Sequence, residues 1–363
     1  MADLRLPADL AWVFLVSHVV DADHPLRRVT LKNYVTRLHG AAEVPVFVPR
    51  DGAETEAVDF RGLAPEEALR IARLLTILTG HDQPDPLVGT APVVGEATAP
   101  VPADWTKHAG RILAEAMGEL LAWHDRKPPA RVARMLPMMR MRAWARLGAR
   151  GEGPRDMGQP PTKARVQIDH HRHAYADFFA MHEYDLRFPR FDGSMSDTVT
   201  RGVFLSSDAA LLLPYDPVRD RVLLVEQFRI GAAARGSANP WVLEPIAGLI
   251  DPGETAEETA RREAREEAGL DLGALHVVCR AHPSPGAGTE FFHKFVGLAD
   301  LPDDVTGQGG LDSEAEDIRS HLFPAEDFLA RIDGDGFVAG PLVLMGLWLA
   351  RHRARLRAEA GAA

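Results

Sequence analysis

The 363 residues are 46% hydrophobic and 26% charged, a composition that excludes a disordered chain, a collagen and a coiled-coil rod. One fused core rarely grows past roughly 250 to 300 residues, so the length predicts two domains. With 41 basic against 52 acidic side chains the net charge is −11, which repels a phosphate-rich polymer and argues against nucleic acid as a partner; a phosphorylated small molecule would need a cation or a local arginine patch to receive it.

Cys279 is the sole cysteine, so no intrachain disulfide and no cysteine-built zinc or iron–sulfur site is available, as suits a reducing cytoplasm. Residues Met1 to Leu10 lack the basic-then-apolar order of a signal peptide. The apolar stretch Leu342 to Ala350 is shorter than the ~20 residues that span a bilayer. The expectation is a cytoplasmic protein with no membrane anchor.

In chain order, Trp12 to Val16 and Val44 to Val48 read as strands, and Pro65 starts a helix carried on by Leu69, Leu74, Ile77 and Leu78. Between Trp105 and Leu147, prolines 128, 129 and 137 break helical segments that Trp105, Trp123 and Trp144 anchor by packing. Glycines and prolines accumulate from Gly148 to Lys163 without apolar periodicity. This predicts an α+β domain over 1–150, a linker over 151–163 and a second domain over 164–363. No internal repeat is present.

Beyond the linker, Ala209 to Leu213 and Val222 to Val225 predict a hairpin turning at Pro214-Tyr215-Asp216-Pro217. Thr255 with Glu258 forms a capping box, Gly269 supplies a left-handed exit, and the residues between form a helix. On it Glu263, Glu266 and Glu267 stand at i, i+3 and i+4, on one face. Carboxylates ~5 to 6 Å apart repel by about 3 kcal/mol at an effective dielectric near 20, so the face calls for a cation. Mg2+ or Mn2+ prefers such oxygens and bridges to phosphates; the alternative is a solvated helix laced by ion pairs with its arginines. A last helix runs from Pro341 through Arg355, apolar at Leu342, Met345 and Leu349.

The run from Gly248 through Glu254, Arg262-Glu263, Glu266-Glu267, Gly269 and Leu270 resembles the signature of the Nudix hydrolases at every position, with Ala264 smaller than the usual aliphatic residue. The resemblance implies an α/β fold, the Nudix α/β/α sandwich with a mixed sheet. It implies metal held by Glu263, Glu267, Glu266 and the carbonyl of Ala247, with Glu254 and Arg262 bracing the loop. Ser284-Pro285-Gly286, Val-Glu226-Gln-Phe-Arg229 and Trp241-Val-Leu-Glu244 are similar to the ADP-ribose pyrophosphatase branch. Glu314-Ala-Glu316 resembles its acidic loop. By that resemblance Glu316 completes the metal set and Glu314 is the general base, with Glu290 a competing candidate. Arg201 and Arg229 face phosphate or terminal ribose, Glu244 faces the nucleoside, and Trp241 either packs or lies near the nucleotide.

The implied reaction is metal-dependent hydrolysis of ADP-ribose to AMP and ribose 5-phosphate; the alternatives are another nucleotide sugar, particularly GDP-mannose, or a catalytically silent nucleotide sensor. The family also implies a homodimer. Asp169, His171 and His173 alternate along one predicted strand and could suggest a transition-metal site, although histidines also face solvent on edge strands.

The first half resembles the γ-glutamylcyclotransferase-like domain preceding a Nudix domain in tellurite-resistance-type proteins, through Gly62-Leu-Ala-Pro-Glu-Glu-Ala-Leu, the helix to Gly80 and the Trp105 and Trp144 helices. Its glycine loop is replaced by Leu15-Val16-Ser17-His18 and its acidic catalyst by Thr79. A structural, dimerising or regulatory module is the expectation.

Overall fold

A computed structural model describes residues 2–16, 26–39, 44–79, 99–150, 166–310, 316–334 and 336–361. They divide into two compact units, Met1–Ser206 and Ser207–Ala363. The composition-based linker 151–163 and residues Ser17 and His18 lie outside the described residues.

The first unit opens with β1 (Ala2–Pro7), α1 (Ala8–Val16), β2 (Leu26–His39), β3 (Val44–Leu63), α2 (Pro65–Thr79) and β4 (Ala99–Pro100). These strands form a sheet in the order β1-β3-β2-β4. Then come α3 (Ala109–Trp123), α4 (Pro129–Ala149) and a separate antiparallel sheet of β5 (Gln167–Ala176), β6 (Ala180–Arg187) and β7 (Val199–Leu205). Its core gathers Leu10, Phe14, Phe60, Ile71, Leu113 and Met139 with Ala176, Ala180 and Leu205. Trp105 and Trp123 are buried in it and Trp144 packs on its margin, so all three tryptophans are packing residues.

Two expectations here need correction. Trp12 to Val16 is the end of helix α1, not a strand. Pro7 closes β1, and Leu10, Val13 and Phe14 then bury at i, i+3 and i+4, a helical spacing that a short apolar run hides. Pro137 lies inside α4 and does not break it, whereas Pro128 and Pro129 start that helix, where a proline's missing N–H costs nothing.

The second unit contains β8 (Ala209–Asp216), β9 (Arg221–Phe228), α5 (Ile230–Arg235), β10 (Trp241–Glu244), β11 (Ile246–Leu249), α6 (Ala256–Ala268), β12 (Leu275–Ala281), β13 (Phe292–Leu298), β14 (Gln308–Gly309), β15 (Ile318–Pro324), α7 (Ala325–Asp333) and α8 (Gly340–Glu359). The sheet runs β12-β13-β8-β9-β15-β14, with β10 joined to β9 and β11 to β8. It is mixed, since β13 pairs with β8 in parallel while the other pairs are antiparallel.

Strand alternation sends Leu211, Leu213 and Tyr215 into one core with Phe328, Leu342, Met345 and Leu349 of α7 and α8. Ala247 and Leu249 of β11 join that side, while Gly248 between them meets Glu263 of α6. The sheet is therefore sandwiched, with α7 and α8 on one face and α6 on the other. The expected hairpin exists but turns later, at 217–220. Pro214 remains in β8 opposite Gly297, and Asp216 makes the turn by accepting the backbone N–H groups of Val218 and Arg219, both at 2.9 Å. Among the described residues no helix is long and apolar enough to cross a membrane.

Candidate active site

Helix α6 begins as its sequence dictates. The Thr255 hydroxyl accepts the Glu258 N–H at 3.2 Å, and the Glu258 carboxylate accepts the Thr255 N–H at 2.8 Å. Gly269, at φ 63°, ends it. With both ends fixed, Glu263, Glu266 and Glu267 are presented from the helix face that meets β11.

Arg262 organises the approach to that face. Its guanidinium donates to both oxygens of Glu254 (3.1 and 3.0 Å), to Glu263 (2.6 Å), to Glu266 (3.0 Å) and to the Leu249 carbonyl (3.3 Å). Burial pushes the Glu254 carboxyl up, but the hydrogen bonds from Arg262 and Thr259 outweigh it and hold that acid below its usual range. Glu254 and Arg262 thus brace the loop that delivers Gly248 against the helix.

Glu263 and Glu267 differ in kind from a solvated acidic face. Glu267 is 2% exposed, and its Oε2 has no hydrogen-bond partner. Burial pushes it up to about 9, with Glu263 and Glu316 repelling its charge; Arg229 and the backbone of Ala247 pull the other way. Burial likewise pushes Glu263 up to about 7, helped by Glu266 and Glu316 and opposed by Arg262. Glu316 is brought in by the turn at Gly309 and Gly310. A Cβ on Gly309 would stand 2.0 Å from the Glu267 carbonyl oxygen, and Gly310 sits at φ 94° against Glu316.

Carboxyls forced toward neutrality by burial and by one another's charge are what a hard cation relieves, and every donor here is oxygen. The residues suit Mg2+ or Mn2+: Glu263, Glu267 and Glu316 with the Ala247 carbonyl, and Glu266 at the edge, where Arg262 already engages it.

Beside the acids lies a cleft of about 270 Å3 lined by Glu226, Asn239, Trp241, Gln308, Asp317 and Arg319. Antiparallel pairing of β9 with β10 sets Trp241 opposite Phe228 and Leu243 opposite Glu226. Trp241 and Phe228 are about half exposed and meet edge to face at 5.6 Å between centroids. Trp241 is therefore not a core residue; its ring is offered at the cleft. Glu226 receives the His321 ring at 2.9 Å.

The structure brings together Ala247, Glu263, Glu266, Glu267 and Glu316, and sets Arg229 against Glu244 as an ion pair within the same unit. Glu290 stands in the loop before β13, where its carbonyl bonds the His282 ring. Glu314 lies outside the described residues. Arg201 belongs to β7 of the first unit, with Nη1 donating to the Thr200 carbonyl. Glu226, Asp317 and Arg319 line the cleft and Phe228 braces Trp241, roles not assigned from sequence, although Glu226 and Phe228 lie in the Val-Glu226-Gln-Phe-Arg229 run that carries the resemblance.

A mixed sheet between helix layers, with an acid-bearing helix braced by one arginine, makes a site whose oxygen donors suit a divalent cation. The NUDIX domain model matches residues 206–340. The ADP-ribose pyrophosphatase of Escherichia coli (strain K12) is 40% identical over 197 residues, 54% of this chain and 93% of that one. That of Haemophilus influenzae is 36% identical over 186 residues, 50% of this chain and 85% of the relative. The GDP-mannose pyrophosphatase of Pectobacterium atrosepticum is 30% identical over 168 residues, 46% and 85% of the two chains. A solved structure described as an ADP compounds hydrolase is 20% identical, with a TM-score of 0.41, covering 53% of this chain and 98% of that one. The chain belongs to the Nudix family.

Proposed function

We propose that the protein hydrolyses the pyrophosphate bond of ADP-ribose, giving AMP and ribose 5-phosphate. The observation that carries this is the buried, partnerless Oε2 of Glu267 facing Glu263 and Glu316, a charge arrangement that a catalytically silent nucleotide sensor has no reason to keep. ADP-ribose pyrophosphatases stand at 40% and 36% identity to the chain, and a GDP-mannose pyrophosphatase at 30%.

Glu263, Glu267, Glu316 and the Ala247 carbonyl would hold Mg2+ or Mn2+, which when bound neutralises and polarises the diphosphate. Glu266 keeps the row aligned through Arg262. Trp241, with Phe228, offers a stacking surface to the adenine, while Arg229 and Arg319 supply positive charge for phosphate or ribose and Glu244 hydrogen-bonds the nucleoside. Glu314 takes the proton from the attacking water, with Glu290 the alternative base. Water oxygen bonds to one phosphorus as the bridging P–O bond breaks, and the bridging oxygen leaves with the other phosphate.

The segment 164–363 is proposed as the Nudix-type domain, since a match of 197 residues is longer than the second unit. Arg201, within that segment, is kept as a phosphate or ribose ligand. A homodimer is supported by apolar residues exposed on the three-stranded sheet, among them Ile168, Tyr175 and Met181. Residues 1–150 are proposed as a non-catalytic γ-glutamylcyclotransferase-like module of tellurite-resistance type. Thr79 supports the loss of catalysis there, because its hydroxyl is committed to the Leu75 carbonyl at 2.8 Å and cannot replace an acid.

Purified protein with Mg2+, and separately with Mn2+, should release AMP from ADP-ribose faster than it cleaves GDP-mannose, and Glu267→Gln should suppress both. Tight ADP-ribose binding without turnover, under either metal, would overturn the reading in favour of a sensor.

A further inference from the structure

In the first unit, strands β5 and β6 pair so that His171 lies opposite Tyr184 and His173 opposite His182. Alternation then stacks three imidazoles on one face of the sheet. The ring centroids of His173 and His182 are 4.1 Å apart, those of His171 and His173 4.5 Å, and Tyr184 stacks on His171 at 4.3 Å. Each histidine offers a nitrogen within 4.8 Å of the others. We propose that His171, His173 and His182 form a second metal site, one for a borderline transition-metal dication of the Zn2+ type, bound through three imidazole nitrogens with water completing a tetrahedron.

Two observations separate this cluster from rings packed for their apolar surface. His182 is 2% exposed and its Nε2 has no hydrogen-bond partner; Nδ1 of His173 is buried and equally unpartnered. Buried polar atoms are ordinarily satisfied, so two orphaned ring nitrogens in one cluster point to a missing electrophile. Next, the Nε2 of His171 and the Nδ1 of His182 share a hydrogen bond of 2.9 Å; a cation would replace its proton, and a tetrahedral zinc centre places its nitrogens about 3.3 Å apart.

The donor set determines the metal. All three ligands are imidazole, which suits Zn2+, Co2+ or Ni2+ and is poor for Mg2+. The nearby Glu119 is engaged by Arg142 and Arg146, and Asp169 does not join. A register shift between Ile168 and His170 turns it aside, and it binds Arg187 and Thr198 instead. The strand motif is thus completed by His182 across the sheet, not by the acid along the strand.

The test uses full-length, tag-free, metal-free protein in millimolar Mg2+, which occupies the oxygen site of the second unit, and titrates it with Co2+. Tetrahedral nitrogen ligation gives intense visible bands, which octahedral oxygen ligation does not. One equivalent with such bands, displaced by Zn2+, unchanged in Glu267→Gln and at least tenfold weaker in His171→Gln and His173→Gln, is the expected result. His171 is exposed and its substitution spares the core, so a folding failure of His182→Gln does not blunt the test. Absence of the bands, or bands that disappear in Glu267→Gln and persist in His171→Gln, overturns the proposal.

Discussion

A Cβ built on Gly248 would stand 1.7 Å from Oε1 of Glu263 and 2.1 Å from its Cδ. The glycine at the head of the loop and the first acid of the helix therefore share one space. The obstacle is the end of a flexible side chain and not a piece of backbone, so a methyl group there displaces the carboxylate while the sheet and α6 remain. Gly248→Ala should lower hydrolysis by roughly 10²-fold, as a misplacement of about 1 Å in a catalytic group does, with the melting temperature nearly unchanged. Parallel kinetics and thermal melts check this; a large fall in stability with normal specific activity of the folded fraction would contradict it.

The same comparison shows what the sequence carried and what it did not. Thr255, Glu258 and Gly269 determine α6 by local hydrogen bonds and one left-handed residue, so its ends and its acid face were legible from residue types alone. The cleft was not, because it depends on which residues face one another across strands. Trp241 meets Phe228, and Arg319 meets Glu226, through register, and register is a property of tertiary pairing. Asp169 shows the opposite failure, since strict alternation placed it with His171 and His173 and a single register shift removed it. In α1, five apolar residues supported strand and helix equally until the preceding Leu10 set the period.

Glu267 should make stability depend on pH and on metal together. Its carboxyl is held at about 9 in the folded chain against an ordinary value of 4.5, so between those limits the native state keeps a proton that the unfolded state has lost. The metal-free protein is then destabilised as pH rises from about 4.5 toward 9, and Glu263, at about 7, contributes to the lower part of that window. Cation binding replaces the proton and grows stronger over the same range, giving about 2.7 kcal/mol when Mg2+ is 100-fold above its dissociation constant. Urea unfolding with a chelator and with Mg2+ at several pH values measures both. Glu267→Gln should flatten the decline above pH 7 and remove most of the metal-dependent gain.

Arg142 and Glu119 form an ion pair in the first unit with side chains 1% and 3% exposed. Burial alone would push the Glu119 carboxyl up, yet the Arg142 and Arg146 guanidinium groups hold it below the usual carboxylate range. Removing Arg142 leaves the buried Glu119 with the partly exposed Arg146 as its remaining guanidinium; breaking a buried pair costs about 3 to 5 kcal/mol. Arg142→Ala should lose stability on that scale, while Arg142→Met with Glu119→Leu should lose much less. Denaturant unfolding of the two variants decides; equal losses would show that packing, and not the broken ion pair, dominates.

Trp241 is 52% exposed, braced edge-on by Phe228 and standing over a cleft whose other walls are polar. An aromatic ring left that open contributes little to folding, since it gains little from burial, but it offers a base a π-face worth about 1 to 3 kcal/mol. Trp241→Ala should therefore raise KM for ADP-ribose by roughly 5- to 100-fold with kcat changed far less, because stacking acts alike on the bound substrate and on its transition state. Trp241→Phe should recover most of the binding. Steady-state kinetics with wild type and both variants tests this. A fall in kcat at constant KM would mean that the indole positions the reacting diphosphate and not the base.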